Sequence, residues 1–241
     1  MQKRAKLYEG KAKILWATDD PSLLVQEFKD SLTAFDGEKK SSLGGKGEMN
    51  CEISSHLFSM LADAGVATHF VKKLSPTEQL VKHCKMIPLE VIVRNYVAGS
   101  LKKRTGLPEG KEIERPIVEF YYKSDELKDP LLAFDHIFML GFVSMAEYNH
   151  LRKVALEVNE HLGTFFAKCG IKLVDFKLEF GWFESNILLG DEITPDTCRL
   201  WDAATGKKLD KDVFRFDLGD VGSIYEEIQK RVSSLTEEAA G

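Results

Sequence analysis

Between Leu173 and Gly181 the chain reads Leu-Val-Asp-Phe-Lys-Leu-Glu-Phe-Gly, alternating apolar and charged side chains. Successive side chains of a strand point to opposite faces, so this pattern fits an extended segment with one buried face and nothing helical. Val174, Phe176, Leu178 and Phe180 are expected to face a core, with Asp175, Lys177 and Glu179 on the other side. A loop at Gly181 leads to a second strand, Ile187–Leu189, and then to Gly190-Asp191-Glu192. A hairpin register pairing Asp175 with Asp191 would put Asp191 on the same charged face. Carboxylates beside a lysine suit magnesium and nucleotide phosphates, because the metal takes hard oxygen ligands and the ammonium takes the anion. The same pattern equally suits a solvent-exposed strand face laced with salt bridges, so the strand alone does not assign a function.

The surrounding pattern is mixed. Lys6–Tyr8 and Lys13–Ala17 flank Gly10 as a hairpin, and Leu23–Phe28 follows the Asp19-Asp20-Pro21 turn signal. Ile53, Leu57, Met60 and Leu61 recur at helical spacing within Glu48–Ala64, before Gly65. Strands are expected near His69–Lys72 and Leu89–Arg94. Ser144-Met-Ala-Glu147 is a capping-box signature that opens a helix carrying Leu151, Val154, Val158, Leu162 and Phe165 up to Gly170. A last helix is expected over Ile224–Val232, with Ser233–Gly241 as a frayed polar tail. Strands and helices intermingle without regular βαβ alternation, which indicates an α+β fold. A boundary near Lys85–Pro88 would divide the chain into an N-terminal β-rich lobe, 1–85, and a C-terminal α+β lobe, 86–241.

Several further segments carry candidate chemistry. Glu90 and Arg94 share a face of an otherwise apolar strand, where an unpaired charge would be costly. They either pair with structural groups or serve a ligand. Ala98-Gly99-Ser100 then opens a short helix, Leu101–Arg104, whose free N–H groups and serine suit a phosphate that Arg94 could clamp. Lys11 and Lys13 in Gly10-Lys-Ala-Lys lie on one strand face; they could cover nucleotide phosphates or guard an edge strand against aggregation. Pro195-Asp196 marks a turn that delivers Arg199, and Arg215 is a further basic candidate. Both arginines could also be ordinary surface residues.

Other chemistries fall away. There is no GxxxxGK[ST] phosphate loop, GxSxG or HExxH, and Gly45-Lys-Gly47-Glu-Met-Asn50 lacks the last glycine of a dinucleotide fingerprint. The six histidines have no metal-ligand spacing, and the four cysteines form no CxxC pair. A net charge of -5 gives no reason to expect nucleic acid or an anionic membrane as partner, so an anionic substrate must be held by local basic groups. The opening MQKRAKLYEGKAK lacks the apolar core of a signal peptide, and no apolar run approaches the ~20 residues that span a bilayer. A soluble, cytoplasmic protein is expected.

In order and spacing these segments resemble the SAICAR synthetase family. The likeness is carried by Ile87-Pro-Leu-Glu90-Val-Ile-Val-Arg94 through Ala98-Gly99-Ser100 and by Val174-Asp175-Phe-Lys177-Leu-Glu179-Phe-Gly181. Leu7-Tyr-Glu-Gly10-Lys11-Ala-Lys13, Thr33-Ala-Phe-Asp36-Gly37, and Asp191-Glu-Ile-Thr-Pro-Asp196 through Arg199-Leu-Trp-Asp202 add to it. The likeness runs from Lys6 to about Val232. It implies a two-lobed α+β fold with ATP in the cleft between the lobes. It also implies ATP-dependent joining of L-aspartate to carboxyaminoimidazole ribonucleotide (CAIR), through an acyl phosphate and with magnesium.

By position, the resemblance places Lys11, Lys13, Met86, Glu179 and Asp191 at ATP, with Glu179 and Asp191 on the metal. Arg94, Ser100 and Arg199 would hold the ribonucleotide's phosphate end, and Arg215 would touch substrate. Asp175 and Lys177 would organise the reacting groups. The resemblance also allows a homodimer. Cys198 stands where the family favours a small residue, often serine, a departure that leaves the assignment standing.

Overall fold

Two antiparallel sheets, joined through their helices, position the charged strand. In a computed structural model, which describes residues 2–34 and 38–240, Gly10 turns the chain between β1 (Lys6–Glu9) and β2 (Lys13–Ala17), as its sequence anticipates. β3 (Leu23–Phe28) pairs with β2. β4 (Ser31–Ala34) and β5 (Lys39–Ser42) form a separate ribbon. Phe35, Asp36 and Gly37 of the Thr33–Gly37 motif lie outside the described residues. After α1 (Lys46–Asp63), β6 (Phe70–Ser75) and β7 (Glu78–Lys82) complete a sheet of order β1-β2-β3-β7-β6. Gly65, at φ +93°, follows the end of α1 where the sequence placed a stop.

The second sheet starts with β8 (Lys85–Tyr96), longer at both ends than its sequence pattern indicated. α2 (Gly99–Thr105) and β9 (Glu112–Tyr122) follow, then a 3-10 turn at Asp125–Leu127 and α3 (Phe134–Met139). α4 (Met145–Lys168) begins with the anticipated capping box: Ser144 Oγ accepts from the Glu147 N–H, and the Glu147 carboxylate accepts from the Ser144 N–H at 2.7 Å. β10 (Ile171–Phe183), β11 (Asn186–Gly190), β12 (Cys198–Asp202), α5 (Asp212–Arg215) and α6 (Val221–Ala240) complete the chain. The expected frayed tail from Ser233 is instead helix as far as Ala240; Leu235, Glu237, Glu238 and Ala239 are good helix formers.

β10 is the centre of this sheet. β8 lies along one of its edges, while β12 and β11 lie end to end along the other. At the join, the Lys177 N–H donates to the Thr197 carbonyl at 2.9 Å. Phe176, Leu178 and Phe180 face the main core with Val91, Val93, Leu57, Phe58, Leu151 and Leu162 of β8, α1 and α4. Val174 does not. A bulge at Leu173/Asp175 in the pairing with β12 shifts the alternation, so Leu173 joins the main core. Val174 packs in a separate small cluster with Ala98 and Trp201.

Gly181 is likewise not a loop. The strand continues through it, because a methyl group there would sit 2.8 Å from Cys84 Cβ and 3.0 Å from Met86 Sδ. Only glycine lets β8 approach so closely. The two sheets are also tied where the His69 N–H donates to the Leu189 carbonyl of β11 at 2.8 Å.

Candidate active site

Alternation holds from Asp175 to Glu179, and β8 lies opposite with Arg94 beside Asp175 and Glu90 beside Glu179. A pairing of Asp175 with Asp191, the register that the sequence left open, does not occur. Glu179 pairs with Gly190, while Asp175 pairs with Arg94 and Arg199. The hairpin is shorter than a register through Asp175 requires, since β11 stops at Gly190. Asp191 nonetheless joins the charged face, because its backbone turns away at φ +63°, a conformation a non-glycine residue adopts only when its surroundings hold it.

Two linked groups of charges result. In the first, Lys177 Nζ donates to Glu179 Oε1 at 2.5 Å and Asp191 Oδ2 at 2.9 Å, with Glu90 3.4 Å away. Lys13 reaches across from the first sheet to Asp191 and Glu192, and Lys123 binds the other Glu179 oxygen. Three ammoniums thus face Glu179 and Asp191. Burial opposes charge on Asp191, yet Lys13, Lys177 and Lys123 hold its carboxyl well below the usual range. Glu192 answers oppositely: burial and then the Asp191 charge push it up to about 7. Lys177, despite burial, is held well above its usual value by Asp191, Glu179 and Glu90. An array of this kind can bind polyanions or release its carboxylates to a cation.

The second group is built on arginines. Arg94 is 2% exposed, and its fork is filled: Nε donates to Glu119 at 2.7 Å, Nη1 to Asp175 at 2.7 Å, and Nη2 to Ser100 at 3.0 Å and Tyr121 at 3.2 Å. Arg199 Nη1 donates to both Asp175 oxygens, at 3.0 and 2.9 Å, and Arg199 Nε to Asp212 at 3.0 Å. Arg215 Nη1 donates to the same Asp212 at 2.6 Å. Gly99, at φ +51°, makes room for Arg199; a methyl group there would stand 2.6 Å from the guanidinium. Arg199 and Arg215 keep part of their side-chain surface open, 20% and 28%.

The structure therefore brings together Lys13, Lys177, Glu179 and Asp191, and separately Arg94, Ser100, Asp175, Arg199 and Arg215. Met86, at the start of β8, lies against Gly181 and Gly190. Lys11 is directed to Asp125, 3.3 Å away, in the 3-10 turn just after Lys123. Sequence reasoning missed Lys123, Glu192, Glu119 and Asp212 as members of the site. Lys123 carries no motif and acts from beyond the end of β9. Asp212 had a usable signal, its spacing of three from Arg215. Among the described residues no three His, Cys, Asp or Glu side chains form a ready-made metal cage. Glu179 and Asp191 do fit a magnesium that takes one or two carboxylates and completes its shell with phosphate oxygens and water.

The comparisons agree with one another. The SAICAR synthetase family model matches residues 6–232. Phosphoribosylaminoimidazole-succinocarboxamide synthase of Anoxybacillus flavithermus is 54% identical over 237 residues, spanning 98% of this chain and 99% of that one. The enzyme of the same name from Halalkalibacterium halodurans is 55% identical over 233 residues, spanning 96% and 98%. Among solved structures, the synthase of Ehrlichia chaffeensis superposes with a TM-score of 0.93 at 45% identity, covering 95% of this chain and 98% of that one. A SAICAR synthetase in complex with ADP superposes with a TM-score of 0.92 at 52% identity, covering 94% and 97%.

Proposed function

This chain belongs to the SAICAR synthetase family and carries out the ATP-dependent ligation of L-aspartate to CAIR in purine biosynthesis; on that premise we propose how its residues divide the work. The observation that carries the division is the Lys13–Asp191–Lys177–Glu179 array, built from both sheets and buried on one face of β10. A carboxylate is a poor electrophile. Its oxygen attacks the γ-phosphorus of ATP, ADP leaves, and the resulting acyl phosphate carries a good leaving group. The aspartate amine then attacks the acyl carbon, and phosphate departs.

Lys11 and Lys13 receive the ATP phosphates, and Met86 lies by the adenine. Glu179 and Asp191 hold magnesium, which supplies charge neutralisation where phosphate oxygens gather. Lys177 and Asp175 orient the reacting groups. Arg94, Ser100 and Arg199 hold the ribonucleotide's phosphate end, with Arg215 beside the substrate. Because the Arg94 fork is filled by Glu119 and Asp175, Arg94 contributes fixed charge and position, while Arg199 and Arg215 present the open surface.

The cleft lies between a lobe of residues 1–85 and one of residues 86–241. This is supported by the five-stranded sheet ending at Lys82, by the second sheet beginning at Lys85, and by Lys13 spanning the two. Cytoplasmic location and a homodimer belong to the same proposal, on the family resemblance; nucleic acid and membrane are not assigned as partners. Among the described residues no helix is long and apolar enough to cross a membrane.

The metal assignment is tested by Asp191→Asn. Magnesium-dependent turnover should fall by about 100-fold or more while the circular dichroism spectrum is retained, in line with losing a preorganised charge from the site. Turnover equal to the parent at every magnesium concentration would remove Asp191 from the metal.

A further inference from the structure

Asp210 is fully buried and belongs to none of the groups assigned so far. Its two oxygens are used on backbone: Oδ2 accepts from the Leu200 N–H at 2.9 Å, and Oδ1 from the Asp212 N–H at 2.7 Å. Leu200 is the residue after Arg199. Asp212 is the residue whose carboxylate takes Arg199 Nε on Oδ2 and Arg215 Nη1 on Oδ1. Asp210 therefore fixes both ends of the Arg199 side chain, its backbone on β12 and its acceptor at the start of α5. The loop is closed by hydrogen bonds at every step.

The placement is costly, which argues for a use. Asp210 and Asp212 are carboxylates two residues apart, both buried, and burial together with the Asp212 charge pushes Asp210 up to about 7. Asparagine at 210 would set an amide NH2 donor against one of two backbone N–H donors that now go to separate carboxylate oxygens. On the far side Arg199 is held by Asp175, so the guanidinium is suspended between two carboxylates with a glycine beneath it. An arginine held at both ends loses little freedom when it meets an anion.

We propose that Asp210 and Asp212 are positioning residues that set Arg199 and Arg215 as a rigid pair for the anionic end of the ribonucleotide. The inference rests on the assignment of those two arginines to that substrate. Asp210 touches no substrate itself and acts through the Leu200 N–H on β12 and through Asp212.

Three variants and two readouts test it. In Asp212→Asn one of the two guanidiniums loses its acceptor, because an amide nitrogen then faces it. The KM for CAIR should rise about tenfold or more, and the KM for ATP should stay within about twofold, which is the signature of lost positioning at one substrate. Asp210→Ala should give the same split. If that variant does not fold by circular dichroism, Asp212→Asn decides alone. An unchanged KM for CAIR, or equal rises for CAIR and ATP, would overturn the proposal.

The second readout is the Arg199 Nε–H resonance of 15N-arginine-labelled protein, without substrates. It should exchange slowly with water in the parent and rapidly in Asp212→Ala, which removes the acceptor of both guanidiniums. Slow exchange retained in Asp212→Ala counts against the clip whatever the enzyme's activity. If the parent makes no succinocarboxamide, the function assignment fails while this resonance still reports on the arginine pair.

Discussion

At the scale of single residues, the site depends on charges that are held rather than displayed. Asp191 adopts a left-handed backbone because Lys13 and Lys177 grip its carboxylate and Gln26 Nε2 donates to its carbonyl at 3.4 Å. Gly99 is the converse case, a position kept empty for the Arg199 guanidinium. Gly99→Ala should raise the KM for CAIR by about tenfold with little change for ATP, measured by steady-state kinetics; equal kinetics would mean that Arg199 relocates freely. His69 gives a pH signature. Burial first, and then Lys13, lower its imidazole from 6.5 to about 3. The unfolded chain takes up that proton below 6.5 and the folded chain does not, so stability falls as pH drops through the window from 6.5 to 3. The loss from this group is at most about 1.4 kcal/mol per pH unit. Urea melts of His69→Leu should show a shallower slope in that window than the parent, and parallel slopes would exclude His69 as a cause.

At the scale of elements, the legible parts were those whose period stays unbroken. The β1–β2 hairpin, α1, the capped α4 and the charged face of β10 all follow from spacing in the sequence. What was hidden depends on partners far along the chain. The bulge at Val174 exists because Asp175 must meet Arg94 on one side and Arg199 on the other. The strand through Gly181 exists because Cys84 and Met86 press against it.

β9 carries Pro116, which argues against a central strand; it lies on the sheet edge, where proline is tolerated. Lys123 enters the site only because β9 returns beside β8, a fact of topology that no local pattern carries. Two stability tests belong here. Ser144→Ala should cost about 1 kcal/mol in urea melts by removing one side of the capping box. Leu178→Ala, in the core beneath Lys177, should cost about 2–5 kcal/mol. A loss near zero for Leu178→Ala would mean that β10 is not packed as described.

At the scale of the whole molecule, the proposed site is assembled from both sheets. The first contributes Lys13, and the second contributes the carboxylates, Lys177 and the arginines. The core runs through α1, α4 and the second sheet without a break, so those parts form a fixed support. On the proposed assignment, ATP chemistry and ribonucleotide recognition fall on adjacent stretches of one strand face: Lys177, Glu179 and Asp191 towards one end of β10, Asp175 with its arginines towards the other.

That arrangement predicts coupled turnover, with the phosphoryl group passing to a carboxylate held beside it. The most direct test is ADP release by the purified protein with magnesium, ATP, CAIR and L-aspartate, omitting each substrate in turn. The account requires ADP and the succinocarboxamide in equal amounts only when all three substrates are present. Folded protein that releases no ADP with all three, or that forms ADP at the full rate without CAIR, would contradict it.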